Sequence, residues 1–188
     1  MRTIQTILLL LASSLFMVAQ GQSIKVVPTE SKITVKGTST IHDWEMGTSA
    51  INGTANFTEE GDQLDITGTK ITLKATDLKS DNSGMDDKAH EALKAKKHQI
   101  ITFTQTDKVT VKTNGTSFSG AVRGNLTIAG ETKAVSIPIT GNTAQNKLKV
   151  NGKVDLKMTQ FDMSPPRAML GAIRSGDDIT VHFEVILK

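Results

Sequence analysis

KLKVNGKVDLKM, residues 147–158, alternates without a fault. Leu148, Val150, Gly152, Val154, Leu156 and Met158 take the even positions, and Lys147, Lys149, Asn151, Lys153, Asp155 and Lys157 the odd ones. Side chains on a strand point to opposite faces with period two, so this stretch is a strand with one apolar and one solvated face. A helix would spread both sets around its circumference. The apolar face needs a partner, and Ile179–Leu187, ITVHFEVIL, repeats the pattern. Physics alone gives a one-domain antiparallel β protein.

The first residues read differently. Arg2 precedes the apolar run Ile7–Ala19, interrupted only by Ser13 and Ser14, and Ala19 and Gly21 then stand three and one residues before Gln22. A charged start, a short apolar run and a small-x-small site predict a secretory signal peptide over residues 1–21 and a mature domain over 22–188. The run is short of the ~20 residues that a spanning helix needs. The expected location is the periplasm or outside the cell. No Cys follows the site, which excludes lipid attachment through an N-terminal Cys, and no disulfide is available to the fold. The formal charge of +3 includes Arg2, so the mature chain carries about +2. That balance, with 4% aromatics and no Tyr, argues against nucleic acid.

Strands are expected at Ile24–Val27 and Ile33–Val35, with Pro28-Thr29-Glu30 as the break between them. Met46–Phe57 reads as a weaker strand, and Glu59–Asp62 as a turn. Leu64 and Ile66 are even, whereas Ile71, Leu73 and Ala75 are odd; a strand changes frame only through an extra residue, so a β-bulge is expected at Gly68. Ser80–Lys97 breaks the β pattern. Ser83 as cap with Asp86 three residues on, and an apolar stripe of Met85, Ala89, Ala92 and Leu93, predict one surface helix. Strands resume at Ile100–Thr106, Val109–Thr113, Phe118–Ile128 and Lys133–Thr140, with a tight turn at Asn114-Gly115. Pro138 removes a ladder donor and argues for an edge or a bulge. Phe161–Gly176 is a long connection before the last strand. About eight strands at short spacing point to a barrel or sandwich, packed solid or hollow enough for one ligand. Few large aromatics and several inward-frame glycines favour a cavity.

Candidate chemistry is thin. His42-Asp43-Trp44 is a polar group at a strand end, but adjacent residues on a strand point apart, so a catalytic dyad is disfavoured. Asp86 and His90 stand at i, i+4, yet no second His joins them, and no HExxH, GxSxG, P-loop or GxGxxG occurs. His182 faces outward. Four Asn-x-Thr sequons begin at Asn52, Asn56, Asn114 and Asn125, and matter only on a eukaryotic secretory route. Met158, Met163 and Met169 surround Pro165-Pro166; they suit either an adaptable apolar surface or ordinary gap-filling. No metal, cofactor or catalytic residue is expected.

The order of features resembles the YceI-like family, also called polyisoprenoid-binding-like proteins. Ser31–Val35 after Val27-Pro28 is similar to its opening strand, and Met85–Leu93 to its helix. Gln99-Ile-Ile-Thr-Phe103 is similar to its next strand, Pro-x-Ile-x-Phe, without the Pro. Gly124-Asn-Leu-Thr-Ile-Ala-Gly-Glu-Thr-Lys133 carries the most specific match, to a Gly-x-Leu-Thr-Ile-x-Gly-x-Thr-Lys hairpin, and Met158–Phe161 with Pro165-Pro166 and Gly171 resembles a late loop of one branch. The resemblance implies an all-β fold: an extended antiparallel eight-stranded, lipocalin-like β-barrel with one short capping helix. It implies a channel for an isoprenoid chain such as a polyprenyl phosphate or a quinone tail.

The expected function is then an exported, non-enzymatic carrier or sequestering protein, without stable membrane insertion. The inward frames name the lining: Val35, Leu73, Phe103, Leu126, Ile137, Val154, Leu156 and Phe183, with Met85 and Leu93 from the helix and His42 and Trp44 near an opening. A second reading is a secreted stress-associated barrel with a packed core and a protein partner. A third is a hydrolase or metal enzyme centred on His42 and Asp43. A homodimer is compatible with all three.

Overall fold

The computed structural model describes residues 22–144 and 147–188; the signal peptide expected over 1–21 lies outside them. The strands are β1 (Gln22–Lys25), β2 (Lys32–Ser39), β3 (Trp44–Thr48), β4 (Ile51–Glu60), β5 (Gln63–Lys74), β6 (Ile100–Gln105), β7 (Val109–Asn114), β8 (Ser117–Ile128), β9 (Glu131–Ala144), β10 (Lys147–Lys157), β11 (Arg167–Ala168) and β12 (Ile173–Leu187), with helix α1 (Ser83–Ala92) between β5 and β6. The fold is all-β and barrel-like. All strand pairs are antiparallel.

The expected closed barrel of eight strands is corrected to a twelve-stranded sheet, ordered β1-β4-β5-β6-β8-β9-β10-β12-β2-β3, with β7 and β11 off that path. The reason lies in three interruptions. β1 and β2 both run along β12, but a 3-10 turn at Pro28–Glu30 divides them. β3 and β4 succeed one another past β2 and β1, parted at Ser49-Ala50. β6 and β7 both lie between β5 and β8, parted at residues 106–108. Each interruption turns one path along the wall into two strands, and the two-residue β11 adds another. The seam at β1 is short: Lys25 N–H donates to Lys188 O (2.9 Å) and Val27 N–H to Ile186 O (2.8 Å).

The frame change sits where the sequence requires it. Thr54 pairs with Lys70 but Asn56 with Thr67, so β5 carries one extra residue, and Gly68 has φ +61. Gln105 serves the bulge: Thr69 N–H donates to its Oε1 (3.0 Å), and its Nε2 donates to Ile66 O (2.8 Å). Pro138 stands where an edge begins. β9 pairs with β10 only as far as Ile139–Gly152, and Lys153–Lys157 pair with β12 alone.

The helix is shorter than its pattern. Its cap is Asn82, whose side chain accepts from Met85 N–H at 3.1 Å, not Ser83. Asp86 looks inward instead of completing a capping box. Met46–Phe57 is divided between β3 and β4, and the last strand begins at Ile173 within the expected connection. A cluster including Ile24, Leu64 and Leu148, each at most 1% exposed, packs the barrel end away from α1.

Candidate ligand cavity

Between that plug and the helix lies a cavity of about 1350 Å³. Small-molecule sites commonly measure roughly 300–1,000 Å³, so this one suits a longer ligand. Its walls are the inward frames of the strands. Inside, the lining is aliphatic and aromatic; Thr69 from the bulge is a polar exception, and its buried hydroxyl has no partner. Of the charged lining residues, Asp43, Lys79, Asp81 and Lys88 belong to the loops and helix at the mouth, and Lys32, Glu45 and Arg167 stand on β2, β3 and β11.

The lumen stays open because the aromatics lie against the wall. Trp44 faces Gly37 across β3 and β2, Phe118 faces Gly141 across β8 and β9, and Phe183 faces Gly152 across β12 and β10. Phe103 covers Gly124 from the neighbouring strand. A Cβ on Gly37 would stand 2.6 Å from Trp44 Cε2, and one on Gly124 2.6 Å from Phe103 Cζ. Each ring occupies space that a side chain on the facing strand would fill. It therefore folds down onto the sheet and leaves the interior empty. Trp44 is fixed further, because its Nε1–H donates to Thr38 O (2.9 Å) and Ser175 Oγ (3.1 Å).

Helix α1 roofs the mouth. Ahead of it runs the segment Lys79–Asn82, joined to β3 by Gly47 N–H to Lys79 O (2.8 Å) and Lys79 N–H to Gly47 O (3.0 Å). Asp86 is buried and ties this segment to the helix. The Ser80 amide and hydroxyl both donate to Asp86 Oδ1 at 2.7 Å, and Lys79 Nζ lies 3.6 Å from Oδ2. Burial pushes the Asp86 carboxyl up, but the two Ser80 donors and the Lys79 ammonium outweigh it and hold the group below the ordinary carboxylate range. Past the far end of α1, Lys94 pairs with Asp162 at 2.6 Å.

Comparison with known proteins agrees with this architecture. The family model described as the YceI-like domain matches residues 15–187. The chain belongs to the YceI-like family. Among solved structures, BcnA from Burkholderia cenocepacia superposes with a TM-score of 0.67 at 15% identity, over 86% of this chain and 98% of that one. A polyisoprenoid binding domain from Saccharophagus degradans gives 0.65 at 9% identity, over 88% and 97%. The Campylobacter jejuni YCEI protein gives 0.54 at 19%, over 72% and 79%. At these identities the likeness is one of fold. No curated protein sequence matches the chain.

In this YceI-like chain all twelve residues expected at the site border the cavity. Val35 stands on β2, Leu73 on β5, Phe103 on β6, Leu126 on β8, Ile137 on β9, Val154 and Leu156 on β10, and Phe183 on β12. Met85 lies within α1 and Leu93 caps its end, with Trp44 on β3 and His42 in the loop before it. His42 and Asp43 are exposed and form no dyad: His42 Nδ1–H donates to the backbone O of Asp43 at 2.7 Å. Among the described residues, no three His, Asp or Glu side chains stand close enough to hold a metal ion, and no helix is long and apolar enough to cross a membrane. The sequence reading missed Met46, Leu78, Ile101 and the Lys79–Asn82 segment. Met46 had a signal, since it shares the frame of Trp44; Leu78 and the segment after it follow no period.

Proposed function

We propose that this YceI-like protein is an exported, non-enzymatic carrier or sequestering protein for an isoprenoid-like lipid, held by its chain in the barrel cavity. The observation that carries the reading is the cavity, about 1350 Å³ in volume and lined mostly by aliphatic and aromatic side chains. Each buried methylene contributes about 0.8 kcal/mol, so a polyprenyl chain binds without a strong polar anchor. The polyisoprenoid binding domain of Saccharophagus degradans, which shares this fold, is named for such a ligand. The alternative, a packed barrel acting through a protein partner, calls for a core filled by side chains, and the cavity counts against it.

The test is native mass spectrometry, with organic extraction, on protein taken from its host's exported fraction. A co-purifying polyprenoid or quinone is expected. Added polyprenyl lipid should shift the emission of Trp44, the chain's single tryptophan, which borders the cavity. Bare protein that also takes up no added lipid would overturn the reading in favour of the partner-binding barrel.

A further inference from the structure

The lip of the cavity carries what loops in water avoid. Ile41 is 61% exposed, Met169 74%, and Leu170 fully. Among the described residues only Ile100 joins them as an exposed large apolar side chain, so three of the four lie together. Their two loops form one unit: Thr40 N–H donates to Arg174 O (3.0 Å) and Arg174 N–H to Thr40 Oγ1 (3.3 Å). Met169 and Leu170 have φ of 50° and 55°, ahead of Gly171 at 92°. Consecutive left-handed residues with bulky side chains are costly, so the turn spends strain on a conformation that leaves both side chains in water.

Ile41 and Met169 also border the cavity, which makes the apolar surface continuous from lip to lumen. Around them the mouth exposes both signs of charge, Arg167 and Arg174 against Asp43 and Asp81, while Lys36 pairs with Glu45, Lys79 with Asp86 and Lys88 with Glu91. That arrangement complements a headgroup carrying a phosphate and an ammonium. Protein partners usually meet a broad patch; this lip is two narrow turns, shaped to enter a bilayer interface. We infer that Ile41, Met169 and Leu170 dock the mouth on a bilayer of zwitterionic phospholipid, so that an apolar chain passes between membrane and cavity without crossing water. The purpose of the docking rests on the carrier reading, but its test has a separate readout.

That test is flotation with vesicles of phosphatidylcholine and phosphatidylethanolamine. The wild-type chain should float with them, with little dependence on salt because the rim charges balance. Leu170→Asn keeps a residue that tolerates the left-handed conformation and removes a side chain outside the cavity lining. It should lower the vesicle-bound fraction about tenfold and leave uptake of a polyprenyl lipid from detergent micelles unchanged. Wild-type protein that stays below the vesicles, or a variant that floats equally well, overturns the inference. So does a dimer or a protein complex that Leu170→Asn abolishes while the wild type ignores vesicles. Flotation without micelle uptake supports docking and overturns the carrier reading instead.

Discussion

Trp44 and Gly37 show most directly how single residues keep the lumen open. The nearest neighbours of a Cβ at Gly37 are all atoms of the Trp44 ring, with no backbone among them. Gly37→Ala must therefore move the indole, and the indole is held by its hydrogen bonds to Thr38 and Ser175. Overpacking of this kind costs typically about 1–3 kcal/mol. Denaturant melts should show that loss, and the emission of the displaced Trp44 should change before unfolding begins. A Gly37→Ala protein with wild-type emission and stability would mean that the ring has room to spare. The same logic explains why so few aromatics serve so large a cavity: each is flattened against a glycine and covers wall instead of filling space.

At the scale of elements, the roof depends on Asp86. Without it the Ser80 amide loses its acceptor, the Ser80 hydroxyl keeps only Asn82 O, and the Lys79–Asn82 segment keeps only the Asn82 cap as a side-chain tie to α1. Asp86→Ala should cost about 1–3 kcal/mol and raise amide exchange in α1 ahead of the strands. The pH dependence follows from the depressed carboxyl. A group lowered by folding stabilises fully above its unfolded value, about 3.9, and the contribution disappears as pH falls through the folded value. Wild type should therefore lose roof protection in acid, whereas Asp86→Ala should show less acid sensitivity there; equal sensitivity would show that another group governs the roof. This element was only half legible in the sequence. The stripe Met85, Ala89, Ala92, Leu93 revealed a helix and the half-buried face that borders the cavity, because amphipathic period is a local property. Asp86 as the anchor of a neighbouring segment was not legible, since nothing periodic connects residue 86 to residue 80. The strands divide likewise. Facing along β10 and the Gly68 bulge were readable from period and frame, but the splitting of three paths into six strands depends on where neighbouring strands diverge.

For the whole molecule, a hollow interior sets the expected response to ligand. A filled core of this size would bury its apolar side chains against one another; here the inner faces of the strands border a cavity of about 1350 Å³ and forgo those contacts. Stability must then come from the wall itself: the ladders, the packed end around Ile24, Leu64 and Leu148, and the rings against their glycines. An apolar chain entering the cavity restores the missing contacts in the native state only, because the unfolded chain offers it no enclosure. Binding then raises apparent stability by mass action, by about 2.7 kcal/mol at a ligand concentration one hundred times Kd. For a domain of this size that corresponds to a rise in Tm of roughly 5–10 °C. Protein stripped of lipid should melt low, and stepwise addition of a polyprenyl lipid should raise Tm with the logarithm of its free concentration. Val154→Trp, which places bulk in the lumen from β10, should reduce that ligand-dependent rise. A Tm that ignores the lipid in the wild type would show that the empty barrel is the working form.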